Sequence, residues 1–201
     1  MSLFRNNLLP LICLAASIPA AWGVDKDGAR FSPPAIDSIL TKQTVEGVTV
    51  AALPYNSESL SKAAFGKVDP YEHGILPVLI VIQNDSKKTI RLAGMQPEYV
   101  TPGRGRIAPT PASEVKYTKS PQRPKMSPSP IPGIRFGKKN PLADESIEIR
   151  GFTAKMLPPG ESAHGFLYFQ TGHRRGSSLY LTGLQDAATG QDLFYFDITL
   201  E

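Results

Sequence analysis

Nine residues near the middle of this 201-residue chain, from Ile75 to Gln83, form an almost unbroken aliphatic run, Ile-Leu-Pro-Val-Leu-Ile-Val-Ile-Gln. A strand with one side in solvent alternates polar and apolar residues, whereas a continuous run is apolar on both sides. The run therefore predicts a central β-strand with both faces buried. Because Pro77 has no backbone N–H, regular pairing on both sides of this strand is expected to begin after it.

Shorter segments with a period of two lie on both sides of this run, and turn signals separate them. A strand is expected from Val45 to Pro54, and another at 89–92 is expected to pair with the run. Only residues 56–65 have a convincing helical pattern, with Asn56 or Ser57 as the cap and Gly66 as the stop. Further strands are expected at 96–101, 147–156, 163–170, 178–184 and 194–200.

Seven or eight short strands, with a turn about every ten residues, predict a mainly β protein built as an antiparallel β-sandwich. Strands do not alternate with helices, which disfavours a parallel sheet. The side chains expected in the core are Val48, Val50, Val78, Ile80, Ile82, Ile90, Leu92, Phe166, Leu179, Leu181, Phe194, Phe196 and Ile198. Tyrosines 168, 180 and 195 are expected on the opposite faces, either as a partner-binding surface or packed under the helix, and the packing is slightly favoured.

The first 23 residues have the pattern of a secretory signal peptide: Arg5 is basic, residues 8–16 are almost wholly apolar, and Ala21-Trp22-Gly23 provides small residues for cleavage. A retained membrane anchor is the alternative, although the apolar stretch is shorter than the ~20 residues that a spanning helix needs. Cys13 is expected to be a filler residue of the signal. Residues 1–23 therefore predict export, to the periplasm or out of the cell.

The expected mature chain begins with a leader at 24–44, followed by one sandwich domain at 45–201. It contains no cysteine, which excludes disulfides and suits an oxidising compartment. No membrane span is expected after signal cleavage. Removal of Arg5 with the signal lowers the formal charge from +4 to +3, which is too small to imply a polyanionic partner by itself.

Residues 102–141 differ in composition from the rest of the chain, with nine prolines, nine basic residues and one acid. This segment is expected to be a long extended loop, rich in polyproline II conformation, inserted between the two halves of the sandwich. Its charge suits an anionic surface such as lipid headgroups, a cell-wall polymer or an acidic protein patch. The alternative is a solvated loop whose charge only maintains solubility. The possible anion-binding residues are Arg104, Arg106, Lys116, Lys119, Arg123, Lys125, Arg135, Lys138 and Lys139.

The residues that often carry catalysis or bind metals are scattered. The three histidines, His73, His164 and His173, have no short-spaced partner of the kind that a metal site uses. Two Ser-x-x-Lys matches, at 59–62 and 113–116, lack the other elements of a serine acyl enzyme. No glycine-rich phosphate loop is present. We therefore expect no catalytic residue, no metal and no cofactor, and export and the scarcity of aromatic residues in the basic segment disfavour nucleic acid.

Two stretches resemble uncharacterised exported bacterial proteins with an immunoglobulin-like β-sandwich domain. The first runs from Phe65-Gly66 through Gly74-Ile75-Leu76-Pro77-Val78 to Asn84-Asp85-Ser86. The second is Leu157-Pro158-Pro159-Gly160-Glu161-Ser162 with Gly165-Phe166-Leu167-Tyr168-Phe169. The resemblance covers about residues 45–100 and 147–201. It implies an immunoglobulin-like fold and export, and it brings no catalytic residue with it.

The sequence thus predicts a secreted or periplasmic, non-enzymatic sandwich that serves as an interaction or structural module of the bacterial cell envelope. Its expected partner is an envelope protein or an anionic envelope polymer, and the sequence does not indicate an oligomeric state. A first alternative is an anion-binding adaptor that acts through residues 102–141. A second, disfavoured alternative is a hydrolase that gathers Ser162, His164 and a carboxylate in a pocket.

Overall fold

The computed structural model describes residues 31–118 and 140–201, and their secondary structure is mainly β. The predicted mainly β, antiparallel architecture is confirmed: every pair of named strands is antiparallel, and the described residues contain only two short α-helices. The signal predicted at 1–23 lies outside the described residues. Within them, no helix has the length and apolarity to cross a bilayer.

Within residues 31–118 and 140–201, eleven strands form three sheets. The inner sheet, in the order β1-β2-β3-β8, contains β1 (Lys42–Val45), β2 (Val48–Pro54), β3 (Leu76–Asn84) and β8 (Ser162–Phe169). The outer sheet, in the order β11-β9-β5-β6, contains β11 (Phe196–Leu200), β9 (Ser177–Thr182), β5 (Gln96–Val100) and β6 (Arg106–Ile107). The small sheet, in the order β10-β4-β7, contains β10 (Gln185–Asp186), β4 (Ile90–Arg91) and β7 (Met156–Leu157).

The helices are short and lie between the strands. The α-helices are α1 (Glu58–Phe65) and α2 (Glu145–Ile149), and 3-10 helices lie at Ile36–Ser38, Tyr71–His73, Ala112–Tyr117 and Pro141–Ala143. Helix α1 begins as the sequence predicts, because Ser57 accepts a hydrogen bond from the amide of Leu60, and it ends at Gly66, which has φ +70°.

Strand β3 occupies the middle of the inner sheet, between β2 and β8, and both of its faces are buried as the aliphatic run predicts. Its pairing with β2 begins at Val78, after Pro77. Alternate side chains of β3 enter two different clusters. Leu79 and Val81 contribute to a second core on the far face of the sheet, beneath α1. Leu76, Val78, Ile80 and Ile82 contribute to the main core between the inner and outer sheets.

The main core joins the inner, outer and small sheets into one apolar cluster, which is the arrangement of a β-sandwich. Twelve of the thirteen predicted core residues are buried. Phe166 lies in the second core and not in the main one. The prediction that Phe194 lies in the core is wrong, because Phe194 precedes β11 and the alternation of that strand does not reach it. Its surface is 71% exposed.

The strand predicted at 147–156 is wrong for most of its length. Residues 145–149 form helix α2, because the Asp144 side chain accepts from the amide of Ser146 and Ile147 turns into the second core. The chain then makes an isolated bridge from Gly151 to Phe166 and forms only the two-residue strand β7. Strand β4 also differs from expectation, since it pairs with β7 and β10 and not with β3.

The loop predicted at 102–141 is folded in its first part. Strand β6 pairs with β5, the amide of Thr110 donates to the carbonyl of Tyr168 at 2.7 Å, and Val115 is completely buried. These backbone bonds and the buried valine hold residues 102–118 against both sheets. Residues 119–139 lie outside the described residues, so that part of the prediction is untested.

The inner sheet also begins earlier than the expected boundary at residue 45. Strand β1 starts at Lys42 and joins β2 through a two-residue turn, Glu46-Gly47, in which both residues have positive φ. Residues 42–44 of the predicted leader therefore belong to the sandwich. Seven of the eleven strands have four or more residues.

Candidate functional site

Three of the nine predicted anion-binding residues are described. Arg104 is exposed, with φ +63°, in the turn between β5 and β6, Arg106 lies in β6, and Lys116 lies in the 3-10 helix at 112–117. These residues lie on different elements, so the folded part of the segment does not present one continuous basic strip. The other six, Lys119, Arg123, Lys125, Arg135, Lys138 and Lys139, lie outside the described residues.

Two of the three described cations have acidic partners. A guanidinium nitrogen of Arg106 (Nη1) lies 2.5 Å from Oε2 of Glu98. The ammonium of Lys116 lies 3.8 Å from a carboxylate oxygen of Glu148 and 5.4 Å from the ring centre of Tyr117. Local ion pairs therefore offset much of the positive charge that the sequence suggested was available to a ligand.

Arg106 also contacts an aromatic pair on the outer sheet. Its guanidinium carbon lies 4.7 Å from the ring centre of Tyr180, and Tyr180 stacks on Tyr195 with 5.4 Å between ring centres and 28° between ring planes. We call Glu98, Arg106, Tyr180 and Tyr195 the aromatic ladder. It combines an ion pair, a cation–π contact and a ring stack in one row across the sheet.

Strand alternation explains why the ladder faces outward. In β9, Leu179 and Leu181 enter the main core, so Tyr180 between them points away from it. The register places Glu98 of β5 and Asp197 of β11 directly beside Tyr180. Tyr195, which precedes β11, reaches the same face and is 53% exposed.

An open cleft of about 600 Å³ adjoins the ladder. It lies at the start of β5, where the outer sheet has one strand fewer. Strand β6 ends at Ile107, which is opposite Tyr99, and the chain then crosses to the inner sheet at Thr110. Residues 96–98 consequently have no partner in β6, and the gap beside them is the cleft. Its walls include Met95, Pro97, Glu98, Arg106, Pro109 and Tyr180.

The three tyrosines expected on the non-core faces have different environments. Tyr168 is buried in the second core, near Phe65 of α1, and its hydroxyl donates to the carbonyl of Ile147 at 2.7 Å. Burial raises the pKa of Tyr168 far above its ordinary value. Packing under the helix is thus correct for Tyr168, whereas Tyr180 and Tyr195 form an accessible surface.

The groups considered for hydrolysis are not gathered in a pocket. Ser162 and His164 lie two residues apart on β8, and both are exposed. In the Ser-x-x-Lys match on α1, the ammonium of Lys62 lies 2.6 Å from Glu58, while the Ser59 hydroxyl bonds to Ser57. Among residues 31–118 and 140–201, no group of three histidine, cysteine or acidic side chains is arranged to hold a metal ion.

One histidine has a structural environment that the sequence did not indicate. The hydroxyl of Tyr99, a buried residue, donates to Ser177 at 2.8 Å and accepts from the amide of Arg174 at 3.0 Å. Nδ1 of His173 lies 3.4 Å from the same oxygen, and the His173 amide donates to the hydroxyl of Tyr71. Burial lowers the pKa of His173. These contacts fix the turn between β8 and β9.

Comparison with known proteins gives little further information. No protein-family model matches the chain, and no curated protein matches it. Among solved structures, it is similar to the candidate lipoprotein ycdA of Bacillus subtilis, with 11% identity and a TM-score of 0.38 over 79% of this chain and 38% of that one. It is also similar to the yjhA protein of Bacillus subtilis, with 9% identity and a TM-score of 0.41 over 81% of this chain and 98% of that one. The chain therefore spans well under half the length of ycdA.

Proposed function

We propose that this protein is an exported, non-enzymatic β-sandwich that acts as a binding module of the bacterial cell envelope, and that the aromatic ladder and its cleft are the binding surface. The observation that carries the proposal is the exposed tyrosine stack beside a cleft of about 600 Å³. Binding clefts commonly have this volume, with apolar walls and a few polar groups that orient the ligand.

The residue types of the ladder support binding. Tyrosine and arginine are enriched among the residues that contribute most to binding, because each combines a large contact area with directional hydrogen bonding. Tyr195 and Phe194 are 53% and 71% exposed, so two adjacent aromatic residues are left in solvent at the edge of the outer sheet. The cluster among them is the stack of Tyr195 on Tyr180, and exposed apolar groups that cluster often mark interaction sites.

The export and envelope parts of the proposal are supported by the sequence of residues 1–23, with its basic start, apolar stretch and small residues at 21–23. An immunoglobulin-like domain is supported by the two facing antiparallel sheets and by how they divide the strands: β2, β3 and β8 correspond to strands A, B and E, and β5, β9 and β11 to strands C, F and G. The anion-binding adaptor stays an alternative prediction, because six of its nine residues are outside the described part of the chain.

Retention on isolated cell envelope tests the proposal. The wild-type mature protein is incubated with sedimented envelope, and the bound fraction is compared with that of Tyr195→Ala. We expect the variant to bind at least about tenfold more weakly, because truncating an aromatic residue on which binding depends costs about 2 kcal/mol or more. The matched control is Tyr117→Ala, because Tyr117 is a 75% exposed tyrosine on a different element.

Two results would contradict the proposal. If wild type and Tyr195→Ala are retained equally, the ladder is not the binding surface. If retention instead disappears when NaCl is raised from about 50 to about 500 mM and is insensitive to Tyr195→Ala, the protein binds through its charge, because salt screens the attraction between solvent-exposed charges. That second result would favour the anion-binding adaptor.

A further inference from the structure

At one end of the aromatic ladder lies the solvent-exposed ring of Tyr195. In the order β11-β9-β5-β6, Tyr180 of β9 has Tyr195 on its β11 side and Arg106 on its β6 side. Tyr180 is therefore enclosed between two neighbours, while Tyr195 stands at the end of the row and is 53% exposed. Tyr195 therefore provides an exposed aromatic ring that is linked to the polar groups of the cleft through Tyr180.

The charges on the cleft wall offset one another. Glu98 and Arg106 form an ion pair at 2.5 Å, and their side chains remain 34% and 53% exposed. A guanidinium has five N–H donors and a carboxylate has about four acceptor positions, so both groups keep unused hydrogen-bonding capacity after pairing. Gln96 and Thr182, which also line the cleft, add uncharged donors and acceptors.

This combination favours an uncharged ligand that is rich in hydroxyl groups. A paired Arg106 has little net attraction to offer an anion, and Asp197, in register with Tyr180, adds negative charge to the same face. A sugar ring matches both parts of the surface, because its C–H face can pack on an aromatic ring while its hydroxyls bond to the groups around the edge.

The size of the surface also favours a ligand of a few sugar units over a protein. The cleft of about 600 Å³ can hold a few sugar units. A stable protein interface buries ~800 Å² on each partner. Tyr195, which stacks on Tyr180 of the cleft wall, and its chain neighbour Phe194 are large exposed apolar residues, and the others in the described part of the chain lie on different elements. The apolar area is thus small for a protein partner.

We propose that the cleft and the aromatic ladder bind an uncharged polysaccharide chain, with Tyr195 as the stacking platform and the Glu98–Arg106 pair as the hydrogen-bonding group. This inference rests on the proposed function, since it specifies the ligand of the same surface.

Isothermal titration calorimetry with three uncharged hexasaccharides tests the inference: a hexamer of N-acetylglucosamine, a β-1,4-glucose hexamer and a β-1,3-glucose hexamer. We expect at least one to bind, with an affinity that changes less than about twofold between about 50 and 500 mM NaCl, because no net charge is neutralised. Tyr195→Ala is expected to weaken that binding at least about tenfold, and Tyr117→Ala less than about twofold. Circular dichroism of each variant checks that it is folded.

The inference fails if none of the three binds, or if a bound hexasaccharide binds Tyr195→Ala as tightly as wild type. A parallel measurement separates this failure from failure of the proposed function. If envelope retention depends on Tyr195 but is abolished by digesting the envelope with protease, the ligand is a protein: the proposed function stands and the polysaccharide inference is wrong. If retention does not depend on Tyr195, the proposed function itself is wrong.

Discussion

Replacing Gly165 by alanine is expected to destabilise the fold, because backbone atoms occupy the space that the new methyl group needs. Gly165 is buried in β8. An ideal Cβ at this position would lie 2.5 Å from the Cα of Phe152 and 2.8 Å from its nitrogen. Neither atom belongs to a flexible side chain that can rotate away, so the segment at 150–152 has to move.

The cost follows from what holds that segment in place. The amide of Phe166 donates to the carbonyl of Arg150 at 2.8 Å, and the amide of Phe152 donates to the carbonyl of Phe166 at 3.0 Å. Overpacking a tight site costs about 1–3 kcal/mol, and each weakened hydrogen bond adds up to ~1 kcal/mol. We therefore expect a loss of about 2–4 kcal/mol in the free energy of unfolding, equivalent to a melting temperature lower by roughly 4–16 °C for a chain of this size.

Urea denaturation followed by far-UV circular dichroism measures the effect. Gly172→Ala is the matched control, because an ideal Cβ there has no atom within 4 Å, and its stability is expected to stay within about 0.5 kcal/mol of wild type. If Gly165→Ala unfolds at the same urea concentration as Gly172→Ala, residues 150–152 do not lie against β8 as described.

Two further predictions concern buried polar groups. Asn84→Ala is expected to lower the free energy of unfolding by about 2–3 kcal/mol, because the buried amide of Asn84 donates to the carbonyls of Lys88 and Leu157, and the carbonyl of Leu157 then lacks its partner in a buried position. Equal stability of Asn84→Ala and the control Gln83→Ala in urea would refute this. Burial lowers the pKa of His173 in the folded state, so the imidazole binds a proton more readily in the unfolded chain. The contribution of His173 to stability is therefore full above its ordinary pKa near 6.5 and declines as the pH falls below that value. Stability measured between about pH 8 and pH 5 should therefore fall more for wild type than for His173→Asn, and parallel curves would contradict the role of His173.

Two apolar patterns in the sequence located most of the strands that form the main core. The period of two identified β2, β8, β9 and β11, and the unbroken aliphatic run identified β3, because both of its faces are buried. It missed β1, whose sequence Lys-Gln-Thr-Val is polar because this strand lies at the edge of the inner sheet. Helix α2 was missed for a different reason: its isoleucines suit either structure, and only the Asp144 cap distinguishes the helix.

Only part of the candidate site could be predicted from the sequence. Alternation placed Tyr180 and Tyr195 away from the core, and the basic composition singled out Arg106. Their contact depends on the strand order β11-β9-β5-β6, which brings residues far apart in the chain onto one row of the sheet. Composition also could not indicate that Glu98 neutralises Arg106, since register and not sequence separation makes them neighbours.

The central position of β3 has a consequence for how the chain reaches its folded state. Its second neighbour, β8, begins only at Ser162, so during synthesis Val78–Ile82 emerges long before the strand that covers its other edge. An uncovered, uncharged and β-prone stretch of this kind readily stacks against copies of itself. A chain truncated before Ser162 should therefore precipitate as fibrils or amorphous aggregates, whereas in the chain that contains Ser162–Phe169 strand β8 covers the open edge of β3.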